Sequence, residues 1–356
     1  MNWWQKLTKN PLARFGALLL LTFYLIVIAA DVVAPYDPYV SQPDGSLLPP
    51  TKIYWRNQQT KKFIGPHVYP TTQGPTDLET GDRKLNVDWQ KPSPVGLFVP
   101  GREYKLFGAI PFNRHLFGTV GEGKINLLGT DEQARDQFSR LVYGGRISLS
   151  IGLVGIAISF PLGLIIGGIS GYFGGWVDGI IMRLVEVLMT IPGIYLLVAL
   201  AAVLPPGLTS AQRFLLIVLI TSFISWSGLA RVIRGQVLSI KEREFVQAAK
   251  TMGANPFYII VRHVLPQTAS YVIISATLAV PGFIVAESVL SLIGLGIQQP
   301  DPSWGNLLSL ATNASIIVLQ PWLIWPPALL IILTVLAFNL LGDGLRDALD
   351  PRSLQR

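Results

Sequence analysis

Two long stretches with almost no charge constrain this chain more than any other feature. Residues 302–342 contain no Asp, Glu, Lys or Arg, and residues 147–182 contain one, Asp178. About 18 or more apolar residues in helical form cross a hydrocarbon core roughly 30 Å thick. Inside that core the backbone must satisfy its own hydrogen bonds, which a helix does within one segment. Six such runs can be placed, at about 15–34, 147–170, 178–204, 213–233, 266–295 and 322–342. The expected fold class is an all-α polytopic membrane protein with six transmembrane helices. Composition agrees: of 356 residues, 50% are hydrophobic and 14% charged, where a soluble domain carries about a quarter charged.

Several function classes drop out. The formal charge is +7, but the basic residues are spread between apolar runs with no Arg-rich helix. Such a distribution orients helices in a bilayer rather than gripping nucleic acid. The absence of Cys removes disulfides and thiolate chemistry, and His67, His115 and His263 are too far apart to give a metal-ligand spacing. No metal site and no bound cofactor are expected. G-x-x-x-x-G-K-[ST], H-E-x-x-H and G-x-S-x-G do not occur, so a nucleotide site, a zinc protease and a serine hydrolase find no support. Lys6, Lys9 and Arg14 precede an apolar run in the layout of a signal peptide, but the run continues through Val32-Val33 without a small-residue cleavage site. A retained first helix is expected.

The domain plan follows from composition. Residues 1–34 hold the N-terminus and first helix, 147–342 a five-helix core, and 343–356 a C-terminal tail. Residues 35–146 form a hydrophilic insertion between helices 1 and 2, with 14 Lys/Arg against 11 Asp/Glu. A structureless loop that long is uncommon, and Lys62–Val68, Lys84–Trp89 and Val95–Phe107 read as β-like patches in a small folded unit. Segment 231–263 carries six basic residues against Glu242 and Glu244, and the first 14 residues carry three and no acid. Both belong on the cytoplasmic side, and the four spans between them allow it. Counting spans puts the insertion outside and both termini in the cytoplasm of a multi-pass plasma (inner) membrane protein. In the second run Gly163, Gly167, Gly171 and Gly175 recur every four residues, a ridge that favours close helix packing within the chain.

The cytoplasmic segment 241–265 reads as two short amphipathic helices. Phe245, Ala248, Ala249 and Met252 share one helix face, and Gly253 suits the left-handed position that ends a helix. Asn255 can cap a second helix with Pro256 at its first position. Phe257, Ile260, Val261 and Val264 repeat the spacing before Leu265-Pro266 opens the fifth span. An apolar stripe between spans must be covered by the protein's own helix ends, by lipid or by another protein. Periodicity alone leaves these open.

The string Gln247-Ala248-Ala249-x3-Gly253-x9-His263-Val264-Leu265-Pro266 resembles the E-A-A-x3-G-x9-I-x-L-P motif of binding-protein-dependent ABC importer permeases. Gln247 replaces the Glu and His263 the Ile. Gly129-Thr130-Asp131-x3-Arg135-Asp136-x2-Ser139-Arg140, Ser291 to Gly296 with Pro302-Ser303-Trp304-Gly305-Asn306, and Asn339 to Pro351 resemble the peptide/nickel permease branch, specifically its C-type subunit with a long outer loop. The resemblance implies half of a translocation pathway for di- or oligopeptides, with nickel or another small solute as the alternative cargo. It also implies that Phe245, Gln247, Ala248, Ala249, Met252, Gly253, Asn255, Pro256, Phe257, Ile260, Val261, Leu265 and Pro266 couple to separate ATPase subunits. The implied partners are a B-type permease chain, two cytoplasmic ATPase subunits using ATP and Mg, and an external solute-binding protein. This chain itself would be a transport subunit and no enzyme. An ATP-independent secondary transporter or channel is the competing class. It expects an internal repeat with paired broken helices.

Charged residues inside the apolar runs need partners. Arg183 and Glu186, three apart, can pair on one helix face. Arg231 and Arg234 are placed to snorkel toward headgroups. Glu287, following Pro281-Gly282, is a candidate for lining or gating the route, with a structural hydrogen bond as the equal alternative.

Overall fold

The computed structural model describes residues 3–76, 83–106, 109–205 and 207–349. In chain order, α1 (Trp3–Lys9), α2 (Pro11–Ile28) and α3 (Ala30–Val33) precede six strands. These are β1 (Tyr54–Arg56), β2 (Phe63–Val68), β3 (Thr71–Thr76), β4 (Arg83–Val87), β5 (Ser93–Leu106) and β6 (Ile110–Thr119). Helices follow: α4 (Gln137–Phe173), α5 (Gly175–Thr190), α6 (Gly193–Ala202), α7 (Ser210–Ile240), α8 (Glu244–Thr251), α9 (Pro256–Ile259) and α10 (Ala269–Leu292). The last are α11 (Trp304–Leu308), α12 (Ala314–Leu319) and α13 (Trp325–Leu349). Asp350 and Pro351 of the C-terminal motif lie outside the described residues.

By length and composition, five helical segments among the described residues can cross a membrane: Pro11–Ile28, Gln137–Phe173, Ser210–Ile240, Pro256–Leu292 and Pro321–Leu349. The third run expected from the sequence, 178–204, is not one helix. It divides into α5 and α6, bent by 85°, and makes a sixth span only if the pair counts as one. The cause is Pro192, which drives the preceding residue out of the helical region: Ile191 sits at φ −82°, ψ 125°. The second helix starts at Gln137, ten residues before the apolar run, because Asp136 caps it. The Ser139 N–H donates to Asp136 Oδ2 at 2.7 Å.

The all-α class is also corrected. The insertion is built from strands, so the chain is mostly helical with a β unit. β1, β2, β5 and β6 form an antiparallel sheet in the order β1-β2-β5-β6, and β3 pairs with β4 in a separate ribbon. Three of these strands fall on the β-like patches of the sequence.

The chain comprises two compact units. The first contains Met1–Leu21, Leu149–Leu290 and Ile332–Arg356, and its core depends on glycine. A Cβ added at Gly163, Gly167 or Gly171 would lie 3.0, 2.5 or 2.8 Å from the carbonyl oxygens of Trp226, Ala230 and Arg234. One side of α4 therefore lies directly against the backbone of α7, as the four-residue repeat predicts. Gly175 is not part of this contact. It opens α5 at φ +54° with nothing near its missing Cβ. Beside this contact Arg234 on α7 donates to both Asp178 carboxylate oxygens on α5, through Nε and one terminal nitrogen, with Ser170 donating to Asp178 Oδ1 at 2.5 Å. The snorkelling expected for Arg234 is thereby corrected: a carboxylate on α5 is within reach. Arg183 and Glu186 do pair, at 3.0 Å, on an exposed face.

The second unit contains Thr22–Ser148 and Ser291–Ile331. Its centre is Arg140, whose side chain is wholly buried. One terminal nitrogen donates to the Pro38 and Pro300 carbonyls at 2.9 and 3.1 Å, the other to Gln299 Oε1 at 2.9 Å. Nε lies 3.3 Å from Asp131 Oδ2, which also takes Arg135 at 2.7 Å. One guanidinium thus ties together three loops far apart in sequence. Trp304 packs beside them, donating through its indole to the Leu141 carbonyl at 3.0 Å. The Ser303 hydroxyl caps α11 by accepting the Asn306 N–H at 3.0 Å. The motif residues recognised separately at 129–148 and 291–306 therefore form one structural knot.

Burial of Asp136 pushes its carboxyl up to about 7, with hydrogen bonds from Ser139 opposing and the Asp131 charge adding to the rise. A carboxyl raised on folding stabilises the fold below its unfolded value, near 3.8. That contribution is lost as pH rises through about 7, on the order of 1 kcal/mol per pH unit in between. The thermal midpoint in detergent should fall between about pH 5 and pH 8 in the wild type and much less in Asp136→Asn, which keeps the cap. Equal falls in both would remove this role. On the α4–α7 contact, Gly167→Ala should lower the midpoint, at a cost of about 1–3 kcal/mol. Gly179→Ala, with open space at its Cβ, should be neutral or stabilising by up to about 1 kcal/mol.

Candidate functional site

The segment between α7 and α10 is built as an anchored projection of the first unit. α8 ends in a Schellman turn. The Gly253 N–H donates to the Lys250 carbonyl at 3.0 Å, the Ala254 N–H to the Ala249 carbonyl at 3.1 Å, and Gly253 sits at φ +77°. A side chain is disfavoured at that backbone angle, so glycine is required there. Asn255 then caps α9, its Oδ1 accepting the Phe257 N–H at 2.9 Å, with Pro256 at the first helical position.

The second helix does not stop at Leu265-Pro266, where the sequence placed a boundary. α9 passes into a π turn at Ile260–Val264, a 3-10 turn at Leu265–Thr268, and then α10. Proline lacks the N–H that an α-helix needs and its ring crowds the preceding turn. The π turn absorbs this: the Leu265 N–H reaches back five residues to the Ile260 carbonyl. The result is one helical segment from Pro256 to Leu292 that joins α9 to α10.

Burial divides the expected apolar stripes. Val246 and Ala249 of α8, with Ile259, Ile260 and Val264, are buried. Val246, Ala249, Ile259 and Val264 pack on Leu229, Ile233, Val237 and Ile240 of α7. Phe245 and Met252 are 40% and 80% exposed, and Phe257, Tyr258 and Val261 between 55% and 62%. Ala248 is exposed beside them. Of the two faces that the periodicity proposed, only Ala249, Ile260 and Val264 turn inward. Val246 and Ile259 were missed. They lie one position from the chosen stripes, and the signal was their β-branched apolar character.

Polar contacts fix the base of the segment. Lys241 Nζ donates to the Gly171 carbonyl at 2.9 Å, satisfying the end of α4. Gln247 Nε2 donates to the Lys241 carbonyl at 2.9 Å, clamping α8 to the end of α7. An ionised Glu offers only acceptors, so the departure from the family motif has a local use here. Phe173, the last residue of α4, meets Phe257 edge-on at 6.2 Å between ring centres.

A cavity of about 460 Å³ opens among α4, α6, α7 and α10 of the same unit. Its walls are apolar, from Phe160, Leu197 and Phe283, and hydroxylic, from Thr221, Ser225 and Ser275, with no charged side chain among its lining residues. Glu287 is wholly buried. Ala286 and Val289 reach the cavity wall, and Glu287 does not. Among the described residues, no three His, Cys, Asp or Glu are grouped to hold a metal ion.

Residues 160–355 match the family described as the binding-protein-dependent transport system inner membrane component. Residues 2–50 match the N-terminal TM domain of oligopeptide transport permease C. The dipeptide transport system permease protein DppC of Bacillus subtilis is 46% identical over 226 residues, 63% of this chain and 68% of that protein. The oligopeptide transport system permease protein OppC of Haemophilus influenzae is 44% identical over 227 residues, 64% of this chain and 70% of that protein. Among solved structures, the inward-facing MetNI methionine ABC transporter aligns over 60% of this chain and 94% of the matched chain, with a TM-score of 0.43 and 17% identity. An anchored projection continuous with apolar helices, and matches at both ends of the chain, lead to one conclusion: this protein belongs to the family of inner-membrane permease components of binding-protein-dependent ABC importers, in its peptide-permease C-type branch.

Proposed function

We propose that this chain forms half of the pathway of an ATP-driven importer of di- or oligopeptides. A second permease chain of the B type completes the pathway, and an external solute-binding protein delivers the cargo. Two ATPase subunits, which carry ATP and Mg, dock on the segment 241–265. The chain itself binds no nucleotide and catalyses no reaction. In this reading six spans lie in the plasma membrane, α5 and α6 together making one, with both termini in the cytoplasm and the strand-built insertion outside.

One observation carries the reading. Phe245, Ala248, Met252, Phe257, Tyr258 and Val261 are exposed on a segment whose other half is held in the core. The exposed half is the part free to enter a partner, and the buried half makes it a rigid lever. A motor pushing on α9 drives α10 through the uninterrupted rod Pro256–Leu292. α10 also supplies part of the cavity wall, so the stroke alters the cavity. The uncharged wall suits cargo of varied side chains, and the lack of carboxylate or imidazole there favours peptides over nickel. A secondary transporter would need a second broken helix matching α5–α6, and among the described residues one bent pair occurs.

Met252→Asp and Phe257→Asp alter exposed side chains and should leave membrane levels normal while reducing co-purified ATPase at least about tenfold, because burying an unpaired charge costs several kcal/mol. Undiminished ATPase in both variants would reject docking at this surface. For Glu287 we propose a role in gating from within α10, and peptide uptake by Glu287→Gln at normal expression tests it. Uptake at the wild-type rate removes that role.

A further inference from the structure

The second unit contains a groove that the transport mechanism above does not use. It has a volume of about 540 Å³ and lies between the Gln42–Lys52 loop and the β3–β4 ribbon. Residues 51–159, which supply most of it, fall between the two family-matched segments. Its volume is in the usual range for a small-ligand site, about 300–1,000 Å³.

Three aromatic rings form one wall. Tyr69 and Trp89 meet at 4.9 Å between centres, Tyr54 and Trp89 at 5.7 Å, and Tyr54 and Tyr69 at 5.4 Å. The rings are held firmly: Tyr69 is buried and its hydroxyl accepts the Gln58 N–H at 2.9 Å. Trp89 and Leu85 remain 37% and 41% exposed along the opening. Pro43, Pro49 and Pro50 stiffen the opposite wall. Rigid aromatic and proline walls bind extended, proline-bearing peptide segments at little entropic cost.

Charge selects the end of such a ligand. Three charged side chains, Lys52, Lys124 and Glu122, line the groove. Glu122 is already neutralised by Lys91 at 2.8 Å. No ion pair is formed by Lys52 or Lys124 among the described residues. The Lys124 ammonium lies over the Tyr36 ring at 5.8 Å, and burial holds it below the usual lysine range. At the floor, Gln42 and Asn126 satisfy each other at 2.8 and 3.0 Å. The groove therefore offers two lysines that form no ion pair among the described residues, and one carboxylate already held by Lys91, beside a rigid apolar wall.

We propose that this groove binds a short extended peptide of two or three residues, its free α-carboxylate held by Lys124 and Lys52 and its apolar or prolyl side chains against Trp89 and Tyr54. It would act as a capture site on the permease itself, separate from the helical cavity. The proposal rests on the peptide reading of the cargo but not on the ATPase docking surface.

The test uses the full chain in lipid nanodiscs, without ATPase or binding protein, and the tripeptide Ala-Pro-Phe with a free carboxylate or as its C-terminal amide, followed by calorimetry. Saturable binding of the free acid is expected, weakened about tenfold by amidation. Lys124→Gln should weaken the free acid about tenfold and leave the amide unchanged. Trp89→Ala should abolish both and Trp89→Phe should restore most of the binding. Trp55→Ala, outside the groove, should change nothing, and thermal midpoints identify variants that fail to fold. No saturable binding, equal affinity for acid and amide, or free-acid binding that survives Trp89→Ala with a normal midpoint would each overturn the site. A chain that still captures ATPase but binds no peptide sinks this proposal alone. A chain that binds peptide but captures no ATPase sinks the importer reading and leaves the groove standing.

Discussion

The close approach of α4 to α7 is the contact on which the rest of the first unit depends. In an apolar solvent there is little hydrophobic gain from joining two helices, so dispersion and backbone contact must do it. Gly163, Gly167 and Gly171 permit that contact by removing every Cβ along one line of α4. The same line brings Ser170 and Asp178 to Arg234, and Lys241 to the end of α4. The segment 241–265 that follows α7 is anchored from there.

The segment 241–265 divides its apolar residues between two faces. Its inner residues, Val246, Ala249, Ile259 and Val264, make it an extension of the core. Its outer residues leave an apolar surface that needs covering. The π turn at Ile260–Val264 matters because it lets Pro266 stand inside a continuous rod. π turns inside helices recur at functional positions, and here the turn sits between the projection and α10.

The second unit is held by different forces. Arg140 replaces its water shell with three backbone or side-chain oxygens and the Asp131 carboxylate. Removing one partner of such a buried set leaves an uncompensated charge, a loss of about 3–5 kcal/mol. That sensitivity explains why loops from 38, 131 and 299 can be joined by one side chain. The strand-built insertion beside this knot carries its own aromatic cluster and its own groove, and is built on other principles than the helical core.

The amino-acid sequence by itself determined the membrane character, the six apolar runs, the glycine ridge and the turn chemistry at Gly253, Asn255 and Pro256. These are local properties: hydropathy, a four-residue repeat and backbone preference depend on neighbours along the chain. What it could not determine was anything set by contacts between distant segments. Periodicity at 245–252 could name a face but not say which side meets the core, and the answer turned on Val246, one position away. Pro192 was visible, but not that the run around it would bend by 85°. Arg234 looked like a snorkelling cation until tertiary structure brought Asp178 beside it from another helix. The groove at Tyr54, Tyr69 and Trp89 was invisible for the same reason: its walls come from segments whose approach depends on strand pairing, and strand pairing is a long-range choice.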